Sequence, residues 1–318
     1  MTLAEIEHAI PGLRGELAFH VDMSRHVSWR AGGLADRVYT PADLDDLAIF
    51  LRTLDANEPI LFIGLGSNLL VRDGGYRGTI ILTHKALSAL RLESRRQGTA
   101  WAGQDASRIG VIYAEAGVAS PKVARFAARH DLVGAEFLAG IPGTIGGALA
   151  MNAGCYGRET WDCVAQVLTI DRQGQLATRH PRDFRVGYRQ VQAEAKQEEW
   201  FVAAWLLLPR GDGAAAREEI KRLLARRVAS QPLNLPNAGS VFRNPPGDHA
   251  ARLIEACGLK GLRIGAAQVS EKHANFIVNL GGARARDIEA LIERVEATVE
   301  AKTGVKLVRE VKIVGERG

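Results

Sequence analysis

Cysteine, long apolar runs and concentrated charge are all scarce in this 318-residue chain. The three cysteines, Cys155, Cys163 and Cys257, form no C-x-x-C pair, and an odd count argues against a disulfide framework. They read as reduced thiols of a cytoplasmic protein. No apolar stretch reaches the roughly 20 residues that a spanning helix needs, and the first residues lack the core of a signal peptide, so membrane insertion is not expected. The net charge is a modest +5, and no dense basic run carries interleaved aromatics, so nucleic acid is not the expected partner. Internal repeats, low-complexity segments and metal-ligand constellations are also missing, and no metal is expected.

Glycine, by contrast, is abundant: 34 of 318 residues, against a usual share of about 7%. Seven glycines fall in one stretch, Gly134, Gly140, Gly143, Gly146, Gly147, Gly154 and Gly157, among apolar or small residues with Glu136 as the one charge. Solvated linkers are polar, so this is not one. Gly140, Pro142, Gly143, Gly146 and Gly147 read as tight turns at which backbone comes very close to something. The N–H groups of such turns make concave anion sites that suit a pyrophosphate. A buried packing corner is the competing reading of the same residues. Phosphate-rich small molecules are the expected occupants of basic sites.

A second stretch runs from Pro59 to Val71, PILFIGLGSNLLV. A G-x-G after a strand suggests a dinucleotide fold, but Leu69 stands where the third glycine would, and no long amphipathic helix follows. A turn at Arg72–Gly75 and a strand at Thr79–Leu82 come next, so the Gly64–Asn68 loop joins two strands. Its N–H groups and the Ser67 and Asn68 side chains can still hold phosphate.

In chain order, residues 1 to about 25 read as a polar, partly helical lead-in. Thr40-Pro41 reads as a helix start, with Leu44, Leu47, Ala48, Leu51 and Leu54 at helical spacing over the short sheet. Strands are expected at Ala100–Ala102, Val111–Ala114, Val164–Ile170 and Trp200–Leu208. Ser120-Pro121 opens a helix burying Val123, Ala124, Phe126, Ala127 and Ala128. Residues 211–216 (GDGAAA) are the best linker candidate, and the helix from Arg217 carries Ile220, Leu223, Leu224 and Val228 on one face. Ala250–Cys257 reads as helix and Phe276–Leu280 as strand. Ile288, Leu291, Ile292, Val295 and Val299 mark the clearest helix, Arg284–Lys302. A final strand is expected at Val305–Val314, with Glu310, Lys306, Val308 and Lys312 on one face.

Taken together and in order, seven segments resemble a known family. They are SWRAGG at Ser28, GLGSNLLV at Gly64, AGIPGTIGGALAMNAGCYG at Ala139, GYR at Gly187, AGSVFRNP at Ala238, QVSEKHAN at Gln268 and REV at Arg309. The set resembles the vanillyl-alcohol-oxidase type of flavin domain and, more specifically, the UDP-N-acetylenolpyruvoylglucosamine reductases. The resemblance implies an α+β fold: a FAD-binding domain of the vanillyl-alcohol-oxidase (PCMH) type in two subdomains over 26–210, and a C-terminal α+β substrate-binding domain over 216–318. It implies a cytoplasmic, monomeric enzyme of peptidoglycan precursor synthesis with non-covalent FAD, NADPH as hydride donor and a UDP-sugar substrate.

The resemblance also assigns roles. Ser240 is the expected proton donor, Arg189 the residue that stabilises enolate charge, and Glu310 the residue that orients or polarises the enolate end. Tyr188, Arg189, Asn244 and Gln268 are expected substrate contacts, with Arg226, Arg227 and Lys272 as candidates for the diphosphate. The flavin is expected against Arg30, then Gly64, Gly66, Ser67, Asn68 and Leu69, then Gly117. The remaining contacts are expected from Ala139, Gly140, Pro142, Gly143, Thr144, Gly146, Gly147, Ala148, Asn152 and Gly154. On pattern alone Ser240 reads more readily as a turn serine, Glu310 as an exposed strand residue and His273 as structural, and Arg189 reads also as a surface arginine. The chain departs from the family at Val191, where serine is frequent, and it lacks a long tyrosine-bearing insertion in its second half, placing it with a shorter subclass. An oxidase or dehydrogenase on the same flavin fold, and a nucleotide-binding protein without turnover, remain open alternatives.

Overall fold

The apolar strand Glu199–Pro209 is the centre of a five-stranded antiparallel sheet. The order is Leu176–Arg179, Val164–Asp171, Glu199–Pro209, Ile109–Glu115 and Leu90–Glu93. A long apolar run has no polar face to present, so such a strand must be covered on both sides, and Val202, Ala203 and Ala204 are fully buried. The computed structural model describes residues 12–94, 100–194 and 198–318.

The chain divides into two compact units, each discontinuous in sequence. The first takes its described residues from Met1–Ala18, Tyr39–Gly64 and Ile80–Ala225; the second from Phe19–Val38, Leu65–Thr79 and Arg226–Gly318. Three of the limits fall inside the strands Glu16–Asp22, Leu34–Thr40 and Tyr76–Leu82, one follows Gly64, and one falls inside the helix Gly213–Ser230.

In the first unit, the helix Ser120–Arg129 buries Val123, Ala124, Ala127 and Ala128 in one core with Ile112, Ala204 and Leu206 of the sheet. The short helix Ile145–Met151 joins the same core through Ile145 and Leu149. The indole of Trp161 donates to Leu149 O at 2.9 Å and packs tilted against Phe184 and edge-on to Phe201. A second core forms under the helix Leu44–Leu51, where Leu47, Phe50 and Leu51 meet Tyr39, Ile60 and Ile81. Buried Asp46 accepts from Tyr39 Oη at 2.6 Å, Ala42 N at 2.8 Å and Arg14 N at 2.6 Å. Burial and that carboxylate push the Tyr39 hydroxyl far up from its usual pKa.

In the second unit, the helix Ala285–Thr303 buries Ile288, Leu291, Ile292, Val295 and Val299 against Ala267, Val269 and Ile277 and the helix Ala250–Ala256. Each such side chain contributes about 1.5–3 kcal/mol. The strands are short: Leu69–Val71 pairs in parallel with Lys312–Val314, and Arg263–Ile264, Ala267–Val269 and Ile277–Asn279 form a three-stranded sheet.

Several sequence expectations change. Residues 16–22 form a strand, while 1–11 lie outside the described residues. The helix at 44–51 is capped by Asp43, whose Oδ1 accepts from Asp46 N at 2.9 Å, because Thr40 is still in the preceding strand. Residues 100–102 are turn rather than strand. Phe126 is only half-buried, and Val228 is 60% exposed. Gly213 begins the helix Gly213–Ser230 instead of lying in a linker, since a Cβ there would stand 2.2 Å from Ala128 O. Gly146 and Gly147 sit in a helix, not in turns. The last strand shortens to Lys312–Val314, and the segment before it keeps only an isolated bridge, Phe242 to Arg309. Where the chain stops being ladder-paired, side chains take over its hydrogen bonding.

On the long helix, Glu289 is buried and accepts from Arg72 Nε at 2.9 Å and Nη2 at 2.9 Å. Arg72 holds its carboxyl below the usual glutamate range. A lowered carboxylate pKa stabilises the fold above the ordinary value and loses that stability as pH falls through the folded one. Glu289→Ala is expected to cost about 2–4 kcal/mol at pH 7, with Arg72 partly solvated. Urea unfolding at pH 7 and near pH 3.5 checks this: the gap to wild type shrinks in acid, and an equal gap at both pH values refutes it.

Candidate flavin and substrate site

In the first unit the two glycine-rich stretches meet. A Cβ added to Gly64 would stand 2.1 Å from Thr144 Oγ1, so the loop leaving strand Ile60–Ile63 can touch the turn before helix Ile145–Met151 only as glycine. Gly117 approaches Thr83 O so closely that its Cβ would lie 1.8 Å away, and a Cβ on Gly146 would meet that of Ala116 at 2.9 Å. The segments are laced by Ser120 N to Gly143 O, Ile145 N to Val118 O and Gly146 N to Ala116 O, each 2.9 Å. Beside them Pro142 and Gly147 are exposed, and a Cβ on Gly147 would meet nothing within 4 Å.

Two hydroxyls in this cradle, Thr144 Oγ1 and Ser120 Oγ, are buried with no hydrogen-bond partner in the protein. A buried hydroxyl left unpaired costs about 1–3 kcal/mol, so each has unused capacity for a polar atom. Ala139 and Ala148 are buried nearby in chain, whereas Gly140 packs on Cys155 and Tyr156. Thr144 was readable from its place in the glycine-rich stretch. Ser120 reads from the sequence only as a helix start, and its full burial at the first position of helix Ser120–Arg129 has no sequence signal.

Arg189 sits at the turn of a hairpin, Phe184–Gly187 with Gln190–Ala193, in the left-handed region at φ 55°. Its guanidinium donates to Gly154 O at 2.8 Å and Asn152 O at 3.3 Å, lies 3.8 Å from Glu159, and stands 4.9 Å from the ring centre of Tyr188. Asn152, the left-handed C-cap of helix Ile145–Met151, has its carboxamide occupied by Glu159, Gly187 O and Trp161 N. Asn152 therefore orients the Arg189 hairpin on the glycine-rich stretch.

In the second unit the remaining predicted residues gather. Gly66, at φ 58°, presses on His26 O, and its own carbonyl accepts from Ser28 N at 3.1 Å. Asn68 Nδ2 donates to Glu310 O at 3.1 Å, and Asn68 O accepts from Lys312 N at 2.9 Å. Leu69 is buried, Ser67 half-buried. Arg30 is exposed at φ 53°, after a fully buried Trp29 whose indole donates to Ile277 O at 2.8 Å. Ser240 is half-buried, and the next carbonyl, Val241 O, accepts from Glu310 N at 2.7 Å. This one bond brings two expected catalytic residues, 70 positions apart in the chain, to neighbouring backbone positions.

Asn244 caps helix Ala250–Ala256 by accepting from Ala250 N at 3.1 Å, and buried Gln268 donates to Gly261 O at 3.3 Å. Lys272 Nζ donates to Val228 O at 2.6 Å, which draws it to the end of the helix carrying Arg226 and Arg227. The His273 ring packs edge-on to Phe276, and burial lowers its pKa. Its Nδ1 accepts from Asn275 N, which favours the structural reading.

Residues 35–178 match the family described as FAD binding domain, and residues 231–314 match that described as UDP-N-acetylenolpyruvoylglucosamine reductase, C-terminal domain. A flavin-binding module followed by a reductase module defines a FAD-dependent oxidoreductase, and the glycine cradle with its two unpaired hydroxyls fits that cofactor. The chain is 63% identical over 318 residues to the UDP-N-acetylenolpyruvoylglucosamine reductase of Thiobacillus denitrificans, spanning 99% of this chain and 98% of that one. It is 55% identical to that of Nitrosospira multiformis over 99% and 94% of the two. The crystal structure of the reductase from Thermus caldophilus superposes with a TM-score of 0.76 at 30% identity, covering 95% of this chain and 99% of that one. The chain belongs to the UDP-N-acetylenolpyruvoylglucosamine reductase family. No helix among the described residues is long and apolar enough to cross a membrane.

Thr144→Val replaces an unpaired hydroxyl by a methyl group of the same shape. The flavin-free protein is expected to keep or raise its melting temperature, while FAD affinity falls about 5- to 30-fold, the equivalent of about 1–2 kcal/mol. Gly64→Ala, with no room for its methyl, is expected to lose FAD altogether. Flavin titration of the flavin-free protein measures both, and unchanged affinity in Thr144→Val would remove the hydroxyl from the site.

Proposed function

We propose that this chain reduces the enolpyruvyl group of UDP-N-acetylglucosamine enolpyruvate to the lactyl ether of UDP-N-acetylmuramate, a cytoplasmic step of peptidoglycan precursor synthesis. NADPH is the hydride source, FAD is held non-covalently, and the enzyme acts as a monomer. The carrying observation is the bond from Glu310 N to Val241 O, which sets Glu310 beside Ser240 in the part that matches the reductase C-terminal domain. The functional limits are 26–210 for the FAD-binding part and 216–318 for the substrate-binding part, supported by the two family matches.

Ser120, Thr144 and the N–H groups of the glycine cradle in the first unit would hold the flavin. When bound, FAD would supply the hydride-transfer chemistry between NADPH and the terminal enolpyruvyl carbon. The electron pair displaced onto the α-carbon spreads into the carboxylate, and the chain's residues must stabilise it and then protonate it. Arg189 has the fixed planar cation for a carboxylate. Ser240 gives its hydroxyl proton to the α-carbon, a transfer typically worth about 10²–10⁴ in rate. Serine is a weak acid, so a strongly basic carbon acceptor is what makes it a competent donor. Glu310 polarises and orients the enolate end. Tyr188, Asn244 and Gln268 hold the sugar nucleotide, with Arg226, Arg227 and Lys272 toward its diphosphate.

An anaerobic absorption experiment tests the assignment. NADPH bleaches the yellow protein, and the enolpyruvyl UDP-sugar restores its colour; reoxidation by oxygen but not by the sugar would place the chain among the oxidases. Ser240→Ala is expected to leave the NADPH step within about twofold and to slow reoxidation by the sugar about 10²- to 10⁴-fold. An unaffected sugar step in that variant removes Ser240 from the proton path.

A further inference from the structure

The QVSEKHAN segment contains a buried side chain that the proposed chemistry leaves without a task. Asn275 is 4% exposed, and its carboxamide is spent on a single residue. Oδ1 accepts from Phe242 N at 3.0 Å, and Nδ2 donates to Phe242 O at 2.8 Å. The backbone carbonyl of Asn275 accepts from Val241 N at 2.9 Å. One residue thus makes three bonds to two consecutive residues, in place of the ladder that this stretch does not form.

On the other side of the same stretch, Val241 O accepts from Glu310 N at 2.7 Å, and Arg243 N donates to Val308 O at 2.8 Å. Val241–Arg243 is therefore held between Asn275 and the 308–310 segment. Ser240 is the first residue outside that grip. On its other flank stands Gly239, at φ 74°, where an added Cβ would meet nothing within 4 Å. Packing at Gly239 does not locate Ser240; the peptides at Val241 and Phe242 do.

We infer that Asn275 is a positioning residue, which sets the Ser240 hydroxyl relative to Glu310 by clamping both backbone groups of Phe242. The inference rests on the proton-donor role proposed for Ser240. A displacement on the order of 1 Å at a reacting group costs about 10²-fold in rate, so a clamp of this kind acts on turnover more than on substrate affinity.

Asn275→Asp preserves size and the acceptor toward Phe242 N, but puts an oxygen against Phe242 O where a donor stood. Asn275→Ser removes the paired bonds without adding charge and serves if the aspartate variant does not fold. With the FAD-loaded enzyme, reoxidation by the enolpyruvyl UDP-sugar at saturation is expected to fall 10- to 100-fold. Its KM should stay within about threefold and flavin reduction by NADPH within about twofold, as positioning at the proton donor requires. In Asn275→Asp the sugar step should recover as pH falls, because a protonated carboxyl regains the donor, while the NADPH step does not follow. A role confined to general stability lowers both steps together, and that result overturns the inference.

Amide hydrogen exchange supplies the second readout. The Phe242 and Glu310 amides are expected to exchange at least about tenfold faster in either variant, with helix Ala285–Thr303 unchanged. Wild-type protection at both amides overturns the clamp itself. A wild-type enzyme that the UDP-sugar does not reoxidise overturns the reductase reading instead, and Ser240's role with it, whatever the exchange shows.

Discussion

The first unit depends on what is missing at Gly64. Any side chain there would collide with Thr144, and without that contact the two glycine-rich stretches could not share one surface. Gly117 and Gly146 repeat the logic against Thr83 and Ala116. None of these three glycines has positive φ; they are selected for volume, not for backbone freedom. Helix propensity alone disfavours Gly146 and Gly147 inside Ile145–Met151 by about 1 kcal/mol each relative to alanine, and close approach overrides it at Gly146. The same crowding buries the Ser120 and Thr144 hydroxyls before anything in the protein can pair with them. Unpaired hydroxyls and bare backbone in one place are what a cofactor with many acceptors requires.

The second unit solves a different problem with a different residue. The strands that lie wholly within it are two or three residues long, so much of its backbone lacks a ladder partner. Asparagine side chains fill in. Asn68 donates to Glu310 O; Asn275 binds both backbone groups of Phe242; Asn279 donates to Trp29 O and accepts from Gly281 N and Ala283 N. A carboxamide carries one acceptor and two donors and so imitates a peptide group. A side chain can therefore fix one edge of a loop as a neighbouring strand would. Three sequence motifs, around Trp29, Asn68 and Ser240, are held this way, and each holds a residue expected to meet cofactor or substrate.

Periodic elements were legible in the sequence, and elements decided by contact were not. The helix expected at Arg284–Lys302 is found at Ala285–Thr303, and the strand at Trp200–Leu208 within Glu199–Pro209, because five apolar residues on one face or nine in a row leave one way to be buried. The Gly64 loop likewise joins two strands, as its missing third glycine implied. Thr40 lost the cap to Asp43 over a local hydrogen bond that composition does not rank. Residues 211–216 looked like linker because small residues suit both a linker and a helix start pressed on Ala128. In the site, Ser240 and Glu310 were singled out by resemblance alone. Their adjacency is a tertiary fact carried by Val241 O, and the part played by Asn275 has no local pattern at all.

Arg189 occupies a position of another kind, marked by its backbone rather than by its neighbours in sequence. A non-glycine residue at φ 55° costs on the order of 1–3 kcal/mol, and a hairpin turn with no other duty would carry glycine or asparagine there. Here the neighbouring glycine, Gly187, lies in the strand, and the left-handed place is given to a long cation. The guanidinium bonds to Asn152 O and Gly154 O offset part of the strain and aim the side chain along the glycine-rich stretch. Both carbonyls belong to the segment that follows helix Ile145–Met151, so the strained residue of the turn is tied to the glycine-rich stretch. Strain kept at a turn where glycine would relieve it moves the explanation from the turn to the side chain, which is the physical reason to test Arg189 for the role proposed for it.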